Sequence, residues 1–166
     1  MAIKNEITTL KNAISPLLPG AIYTLQSAPK TPTVNHVQIE AMPQTIGNSE
    51  TLYHYANDRT FRIVIYGKSG LDVITKAEAV GETLANAMKI KIDEEPGYMT
   101  LGSFSLSETF ETSTAGIFAI IGMLPATVRK LRPQEEYDKI GDINVDISDG
   151  NGHTETVVSP KTCEIR

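Results

Sequence analysis

The segment TLGSFSLSETFETSTAGIFAIIGMLPATVRKLRP, residues 100–133, decides the fold. It holds two apolar runs of strand character, 100–106 and 116–124, which a polar link joins. Apolar residues occupy both period-2 faces of the second run, which predicts a central strand covered on each side. Pro125 has no amide hydrogen to donate, which predicts a bulge, a bend or an edge at that position. The strand is predicted to resume over 127–132, where its basic far end leaves the core.

Two other stretches have helical periodicity. An apolar residue recurs every three or four positions over 3–17, and prolines end this first helix. Ser69 and Asp72 have the spacing of a capping box, which predicts a second helix that runs to about Met88. The buried stripe of the second helix is predicted to be Val73, Ala77, Val80, Leu84 and Met88.

Alternation of apolar and polar residues predicts several strands. These predicted strands are 21–25, 34–40, 52–55, 59–66 and 143–147. The residues 56–58, Ala-Asn-Asp, are predicted to link two of them as a hairpin, and 133–141 is predicted to be a short helix. Asp-Gly-Asn-Gly at 149–152 is typical of a tight turn, which predicts an acidic strand and hairpin region over about 142–158.

The length and composition describe an ordinary globular chain. Its 166 residues are predicted to form a single domain over 1–166. A single cysteine, Cys163, excludes an internal disulfide and a cysteine-based zinc site. We expect neither a membrane span nor a secretory signal, because the sequence has no apolar run of about 18 residues and no basic start before an apolar segment.

The net charge of −5 is unevenly placed along the chain. Residues 1–132 hold 12 acidic and 12 basic side chains, whereas residues 133–166 hold 8 acidic and 3 basic side chains. The whole excess therefore lies after residue 132. An acidic chain is not expected to bind nucleic acid tightly, because contacts to phosphates dominate that affinity. It is suited to line a passage through which a polyanion slides.

Two segments partly match known ligand-binding motifs. Gly67-Lys68-Ser69 follows a strand and precedes a helix, as in a phosphate-binding P-loop, but Arg62 stands where that motif requires its first glycine. A capped turn is therefore predicted there. The acidic residues of 142–149 partly match the calcium-binding loop of an EF-hand. No register places glycine at position 6 and glutamate at position 12 of that loop. A weak calcium site stays an alternative to a plain acidic strand.

Few residues are arranged for catalysis. The three histidines, His36, His54 and His153, have no metal-ligand spacing, and no nucleophile motif accompanies them. Asp93-Glu94-Glu95 precedes Pro-Gly and is predicted to be a solvated loop. We expect the protein to be no enzyme and to need no cofactor or metal.

A basic strip directly precedes the acidic part of the chain. The strip consists of Arg129, Lys130 and Arg132, and Glu135 and Glu136 follow it. Adjacent patches of opposite sign suit a head-to-tail contact between identical copies, which closes into a ring. The alternative is that both patches are solvated faces of a monomer.

Three parts of the sequence resemble the neck or tail terminator (tail completion) proteins of tailed bacteriophages. These are LGSFSLSETFET at 101–112, the apolar strand after it, and VRKLRPQEEYDKI at 128–140. The resemblance extends back through the strand and helix of 59–88, and so covers most of 59–147. Residues before 59 match only in general layout.

The resemblance implies an α/β (α+β) domain in which a central mixed or largely antiparallel sheet is flanked by helices. It also implies a structural virion protein that forms a hexameric ring, caps the tail tube, terminates its polymerisation and presents a surface for head–tail joining. The implied partners are further copies of the chain, the tail tube protein and a head-completion or connector protein. DNA would pass through the lumen without specific binding, and no membrane would be involved.

The resemblance and the charge pattern together predict interface residues, lumen residues and a location. Arg129, Lys130, Arg132, Glu135 and Glu136 are predicted at the subunit interface. The residues predicted to face the lumen or the tube are Asp142, Asp146 and Asp149. The expected location is the virion tail or neck, with host cytoplasm during assembly. Two alternatives stay open, namely another ring-forming connector or tail-completion protein, and a small monomeric ligand-binding or hydrolase domain.

Overall fold

A mixed β-sheet of nine strands, with two helices on one of its faces, forms the unit Met1–Arg132. A computed structural model describes residues 2–43, 48–49, 54–131, 145–148 and 154–157. The α+β class predicted from the sequence is confirmed. The unit Pro133–Arg166 is separate in its contacts, and the extension of one domain over 1–166 stays a prediction.

The helices are α1 and α2, with a short 3-10 turn after the first: α1 (Ala2–Ile14), the turn Ser15–Leu17, and α2 (Gly70–Ala87). The strands of the large sheet are β1 (Ile22–Leu25), β2 (His36–Ala41), β3 (Asn48–Ser49), β4 (His54–Gly67), β5 (Lys89–Lys91), β6 (Gly97–Leu101), β7 (Ser105–Leu106), β8 (Phe110–Glu111) and β9 (Phe118–Leu131). In the second unit β10 (Val145–Ser148) and β11 (Thr154–Val157) form an antiparallel pair, as the hairpin prediction requires.

The order of the main strands is β1-β2-β4-β9-β6-β5. β3 pairs with β4, and β7 and β8 pair with β9. Only the contact of β1 with β2 is parallel among the described strands, and all others are antiparallel. This arrangement makes β9 a central strand, as its apolar sequence predicts.

β4 and β9 are paired along their whole length, from Gly67 opposite Phe118 to His54 opposite Leu131. Two sequence predictions are therefore wrong. Residues 56–58 do not form a hairpin link, because they continue the ladder within β4. The far end of β9 does not leave the core, because Val128 is fully buried there.

Pro125 lies inside β9 without interrupting it. Its carbonyl accepts a hydrogen bond from the amide of Gly102 at 2.8 Å, on the side of the strand where β6 ends at Leu101 and β7 begins at Ser105. The nitrogen and carbonyl of a strand residue point to the same side. The proline nitrogen therefore faces the gap between two partner strands, where no ladder hydrogen bond is lost.

The core lies between the sheet and the helices. One face of each central strand supplies its apolar residues, among them Phe61 of β4 and Leu124 of β9, both fully buried. The predicted stripe of α2 is confirmed except at its end, because Met88 is 69% exposed. Met88 has φ +47°, and its amide bonds back to Leu84 at 3.2 Å, so it terminates the helix instead of packing beneath it.

Phe104 is clamped between α2 and β9 by two glycines. A methyl group at Gly81 would lie 3.1 Å from the Phe104 ring, and one at Gly122 would overlap it. Both glycines therefore serve close approach, which their lack of Cβ permits. The ring closes the core at the point where the chain passes from β6 to β7.

We expect Gly122→Ala to destabilise the protein by about 1–3 kcal/mol, because the added methyl group forces Phe104 out of its site. The measurement is the free energy of unfolding from urea denaturation. The control is Phe104→Ala combined with Gly122→Ala, which removes the overlap. If the double variant costs as much as the sum of the two single variants, the overlap is not the cause of the loss.

Candidate functional site

The predicted basic strip is divided between the two faces of β9. Lys130 lies on the helix side, where it contacts a side chain of α1. Arg129 follows the pleat to the opposite face. The other members of the predicted interface, Arg132, Glu135 and Glu136, lie outside the described residues. The predicted interface role of the strip stays a prediction.

The predicted lumen residues are only partly described. Asp142 and Asp149 lie outside the described residues. Asp146 belongs to β10, and its backbone stands opposite Thr156 of β11. Its position in an acidic strand agrees with the sequence pattern, and the prediction that it faces a lumen or tube stays a prediction.

Lys130 belongs to a buried cluster of four charges. Its Nζ lies 2.6 Å from Glu95 Oε2 and 3.2 Å from Glu6 Oε1. The second oxygen of Glu6 lies 3.1 Å from Arg59 Nε. Glu6 is 0% exposed, and the two cations are about as deeply buried. Asn5 donates a hydrogen bond of 2.8 Å to the remaining oxygen of Glu95.

The cluster fixes α1 against the sheet. Glu6 comes from α1, Arg59 from β4 and Lys130 from β9, while Glu95 comes from the loop before β6. Two carboxylates balance two cations, and the Glu6 contacts have ion-pair distances without hydrogen-bond geometry. Such a cluster adds little net stability, because its desolvation is costly, but the loss of one member leaves a buried charge without compensation.

Sequence reasoning placed Lys130 on the surface and did not single out Glu6. A signal was available in the helical periodicity. Glu6, Leu10 and Ile14 are spaced by four, so a charged residue lies on the apolar stripe of α1. Lys130 likewise shares its strand face with Val128. The missing information was which residues of α1 and β9 face each other.

Lys130 lowers the pKa of the Glu95 carboxyl below its usual 4.5, chiefly through the hydrogen bond that its ammonium donates. Partial burial opposes this shift, and the positive charge of Lys130 and the hydrogen bond from Asn5 add to it. The folded state therefore favours the ionised carboxylate. The stabilisation is present above the unfolded pKa and is lost as the pH falls through the folded pKa.

The turn before α2 is capped by the chain itself. Ser69 Oγ accepts a hydrogen bond from the Asp72 amide at 3.2 Å, and the Asp72 carboxylate accepts one from the Lys68 amide at 3.0 Å. The prediction of a capped turn is confirmed. The Asp72 carboxylate occupies the positive end of the helix, where a P-loop would hold a phosphate.

His36 is a buried member of the sheet face that the helices leave open. Its Nε2 shares a hydrogen bond with Thr24 Oγ1, and its ring meets that of Tyr66 edge-on, with centroids 6.0 Å apart. Burial lowers the pKa of His36, which favours the neutral ring. Among the residues that the structure describes, no group of three or more His, Cys, Asp or Glu side chains is arranged to hold a metal ion.

Two concave sites occur in the described part of the molecule. An apolar cleft of about 150 Å³ lies beside the 3-10 turn and is lined by Leu17, Val37 and Ile65. A shallow groove of about 310 Å³ runs past Asp58 and Thr100. Sites for small ligands commonly enclose about 300–1,000 Å³ and are mostly apolar with a few convergent polar groups. The cleft is smaller than this range, and the groove is shallow and open to solvent.

Comparison with known proteins gives a likeness to solved structures only at low identity. No family model matches the chain, and no curated protein matches it. The chain is similar to a solved structure described as "Virion of native gene transfer agent (GTA) particle", with 13% identity and a TM-score of 0.42 over 74% of this chain and 92% of that chain. A likeness of this degree carries no argument about function. No helix within the described residues has the length and hydropathy to cross a membrane.

We expect Glu6→Gln to destabilise the protein by about 3–5 kcal/mol, because Arg59 and Lys130 would lose their shared buried carboxylate. The measurement is the free energy of unfolding in urea. Glu78→Gln is the matched control, since Glu78 is an exposed helical glutamate and its replacement is expected to cost less than about 0.5 kcal/mol. Equal effects of the two variants would show that the cluster is not a structural constraint.

Acid sensitivity is a second test of the cluster. The urea concentration at the unfolding midpoint of the wild type is expected to decrease as the pH falls from 6 to 3. The decrease is expected at and below the usual pKa of Glu95, because the paired carboxylate takes up a proton there. In Glu95→Gln this part of the decrease is expected to be absent. Parallel pH profiles for both proteins would contradict the assignment.

Proposed function

We propose that the chain is a structural virion protein that forms a hexameric ring on the end of a phage tail tube. The ring stops polymerisation of the tube and presents a surface to the head-completion or connector protein. The protein then works through its interfaces and carries out no bond chemistry, in the virion after assembly in the host cytoplasm. The sequence resemblance of residues 101–112 and 128–140 to tail terminator proteins supports this proposal.

The separation of charge along the chain is the observation that carries the proposal. Residues 1–132 are balanced, and the whole excess of five negative charges lies in 133–166. Inside the first unit several cations are matched by carboxylates of the same unit, as in Arg62 with Glu40 and Lys76 with Asp72. These cations therefore do not take up the acidic excess of 133–166. That excess is suited to a surface on another copy, which is the heterologous contact that closes a ring.

The open face of the sheet supports a role in assembly. Both helices pack on the other face, while Ile121 and Met123 of β9 remain only half-buried. A sheet commonly buries its apolar face against another layer. In the proposed ring, this second layer is supplied by a neighbouring molecule.

The acidic segment has a second use in this proposal. A ring at the head–tail junction surrounds the DNA during its passage, and a negatively charged lining prevents the phosphates from adhering. Asp142, Asp146 and Asp149 are the residues that we assign to this lining. A connector ring would need the same property, so charge alone does not distinguish the two kinds of ring.

The direct test is the stoichiometry of the purified protein by native mass spectrometry, alone and after mixing with purified tail tubes. The proposal expects six copies in a closed ring, bound at one end of each tube. Binding to filled heads but not to tubes would replace it with a connector. A monomer under both conditions would exclude ring formation.

We expect Arg129→Glu combined with Arg132→Glu to abolish ring formation, because the reversed charges would repel the acidic surface of the neighbouring copy. Sedimentation velocity measures the outcome, and thermal unfolding checks that the variant is folded. Lys4→Glu combined with Lys30→Glu is the control, since both lysines are exposed and the charge change is equal. Unchanged assembly of the Arg129 and Arg132 variant would remove the strip from the interface.

A further inference from the structure

A second group of cations lies on the open face where β5, β6 and β9 meet. In the register of the sheet Lys91 stands opposite Tyr98, and Tyr98 stands opposite Arg129. Lys89 is in the neighbouring row, opposite Thr100. Since residues opposite each other share a face, all five side chains belong to one surface. Lys89, Lys91, Tyr98 and Arg129 are called the Tyr98 patch below.

The aromatic ring organises the cations of this patch. Lys89 Nζ lies 3.5 Å from the centroid of the Tyr98 ring, and the guanidinium carbon of Arg129 lies 5.9 Å from it. Cations within about 6 Å of an aromatic centroid are attracted to the ring. Arg129 Nη1 also donates to Thr100 Oγ1 at 3.4 Å. The ring therefore positions Lys89 and Arg129, while Lys91 stands opposite Tyr98 in the register.

The two lysines of the patch are available to an external partner. Lys89 and Lys91 are exposed, and within residues 54–131 no carboxylate lies at ion-pair distance from either. The acidic loop that follows β5 is directed to the helix side, where Asp93 accepts from Asn12 at 2.8 Å and Glu95 pairs with the buried cluster. The sheet thus separates these carboxylates from the two lysines.

Among the described strand residues, the carboxylates on this face are Glu40, which pairs with Arg62, and Asp58. Asp58 of β4 stands opposite Thr127 and accepts its hydroxyl hydrogen bond at 2.8 Å. It lies across β9 from the lysines, since β6 and β9 stand between β5 and β4 in the order of the sheet. Lys89 and Lys91 outnumber Asp58, so the face is positively charged at this end.

Lysines on an edge strand also have a protective role, because their charge discourages pairing with another chain. That role explains the presence of Lys89 and Lys91 on β5. It does not explain why the Tyr98 ring of β6 lies between cations of β5 and β9. Tyr and Arg, the two residues at the centre of the patch, are enriched at protein interfaces. The composition of the patch therefore favours a binding surface.

We propose that the Tyr98 patch binds the acidic segment 133–166 of a second copy of the chain. This inference rests on the proposed ring and identifies one of its two complementary surfaces. The segment holds 8 acidic and 3 basic side chains, and the patch is positive, so the two surfaces are complementary. Nucleic acid is a less favourable partner, because the chain as a whole carries five negative charges and repels phosphates.

The first experiment compares Lys89→Glu with Lys91→Glu, combined in one variant, against the control Lys4→Glu with Lys30→Glu. Assembly is followed by native mass spectrometry and sedimentation velocity over a range of concentrations. We expect the protein concentration at which half of the chains are assembled to be at least about tenfold higher for the patch variant, because like charges would face each other. The control is expected to assemble as the wild type does.

The second experiment distinguishes contacts between copies from contacts within one copy. Glu135→Lys with Glu136→Lys changes the net charge of the acidic segment from −5 to −1 and leaves the patch intact. At a protein concentration at which the wild type assembles, each double variant alone is expected to remain mostly monomeric. A mixture of the two is expected to form heterodimers, since one intact patch then meets one intact acidic segment. Monomers in the mixture would place the contact within one copy and overturn the proposal.

The outcomes separate this inference from the proposed function. A wild-type ring together with normal assembly of the Lys89 and Lys91 variant overturns the role of the patch and leaves the ring in place. A monomeric wild type, even with tail tubes, overturns both. Retardation of double-stranded DNA by the wild type that disappears in the patch variant, with assembly unchanged, would assign the patch to nucleic acid instead.

Discussion

The antiparallel pairing of β4 with β9 is the constraint on which the rest of the structure depends. Both strands are fourteen residues long, and every other strand of the large sheet is attached to one of them directly or through a neighbour. Their helix-side residues form the centre of the core, where Phe61 and Leu124 are fully buried. Both helices, the glycine clamp around Phe104 and the buried charges all take their positions from this pair.

The pleat of β9 gives neighbouring cations different functions. Lys130 points to α1 and compensates Glu6 and Glu95 inside the molecule, whereas Arg129 lies beside Tyr98 on the open face. A shift of the register by one residue would exchange the two faces. The buried cluster therefore also specifies which cations reach the outside, because Lys130 has its carboxylates only in the observed register.

The sequence predicts local features of this fold better than long-range ones. The cap of α2 at Ser69 and its buried stripe follow from patterns within a few residues, and both are confirmed. The predicted turn at 56–58 fails because Ala-Asn-Asp has turn propensity, while the ladder with β9 and the hydrogen bond from Thr127 to Asp58 favour a strand. The Tyr98 patch has no local signature, since it exists only once three strands are paired in the correct register.

In the proposed ring, charged contacts and apolar contacts would have different roles. Charge pairs at the rim of an interface mainly set orientation and the rate of association, and they add little affinity. The Tyr98 patch and the acidic segment would therefore select the head-to-tail arrangement. Affinity must come from apolar area, which the open face offers at Ile121 and Met123 and at exposed Leu131. A surface built in this way assembles reversibly and is sensitive to salt, which suits a ring that closes only where a tube ends.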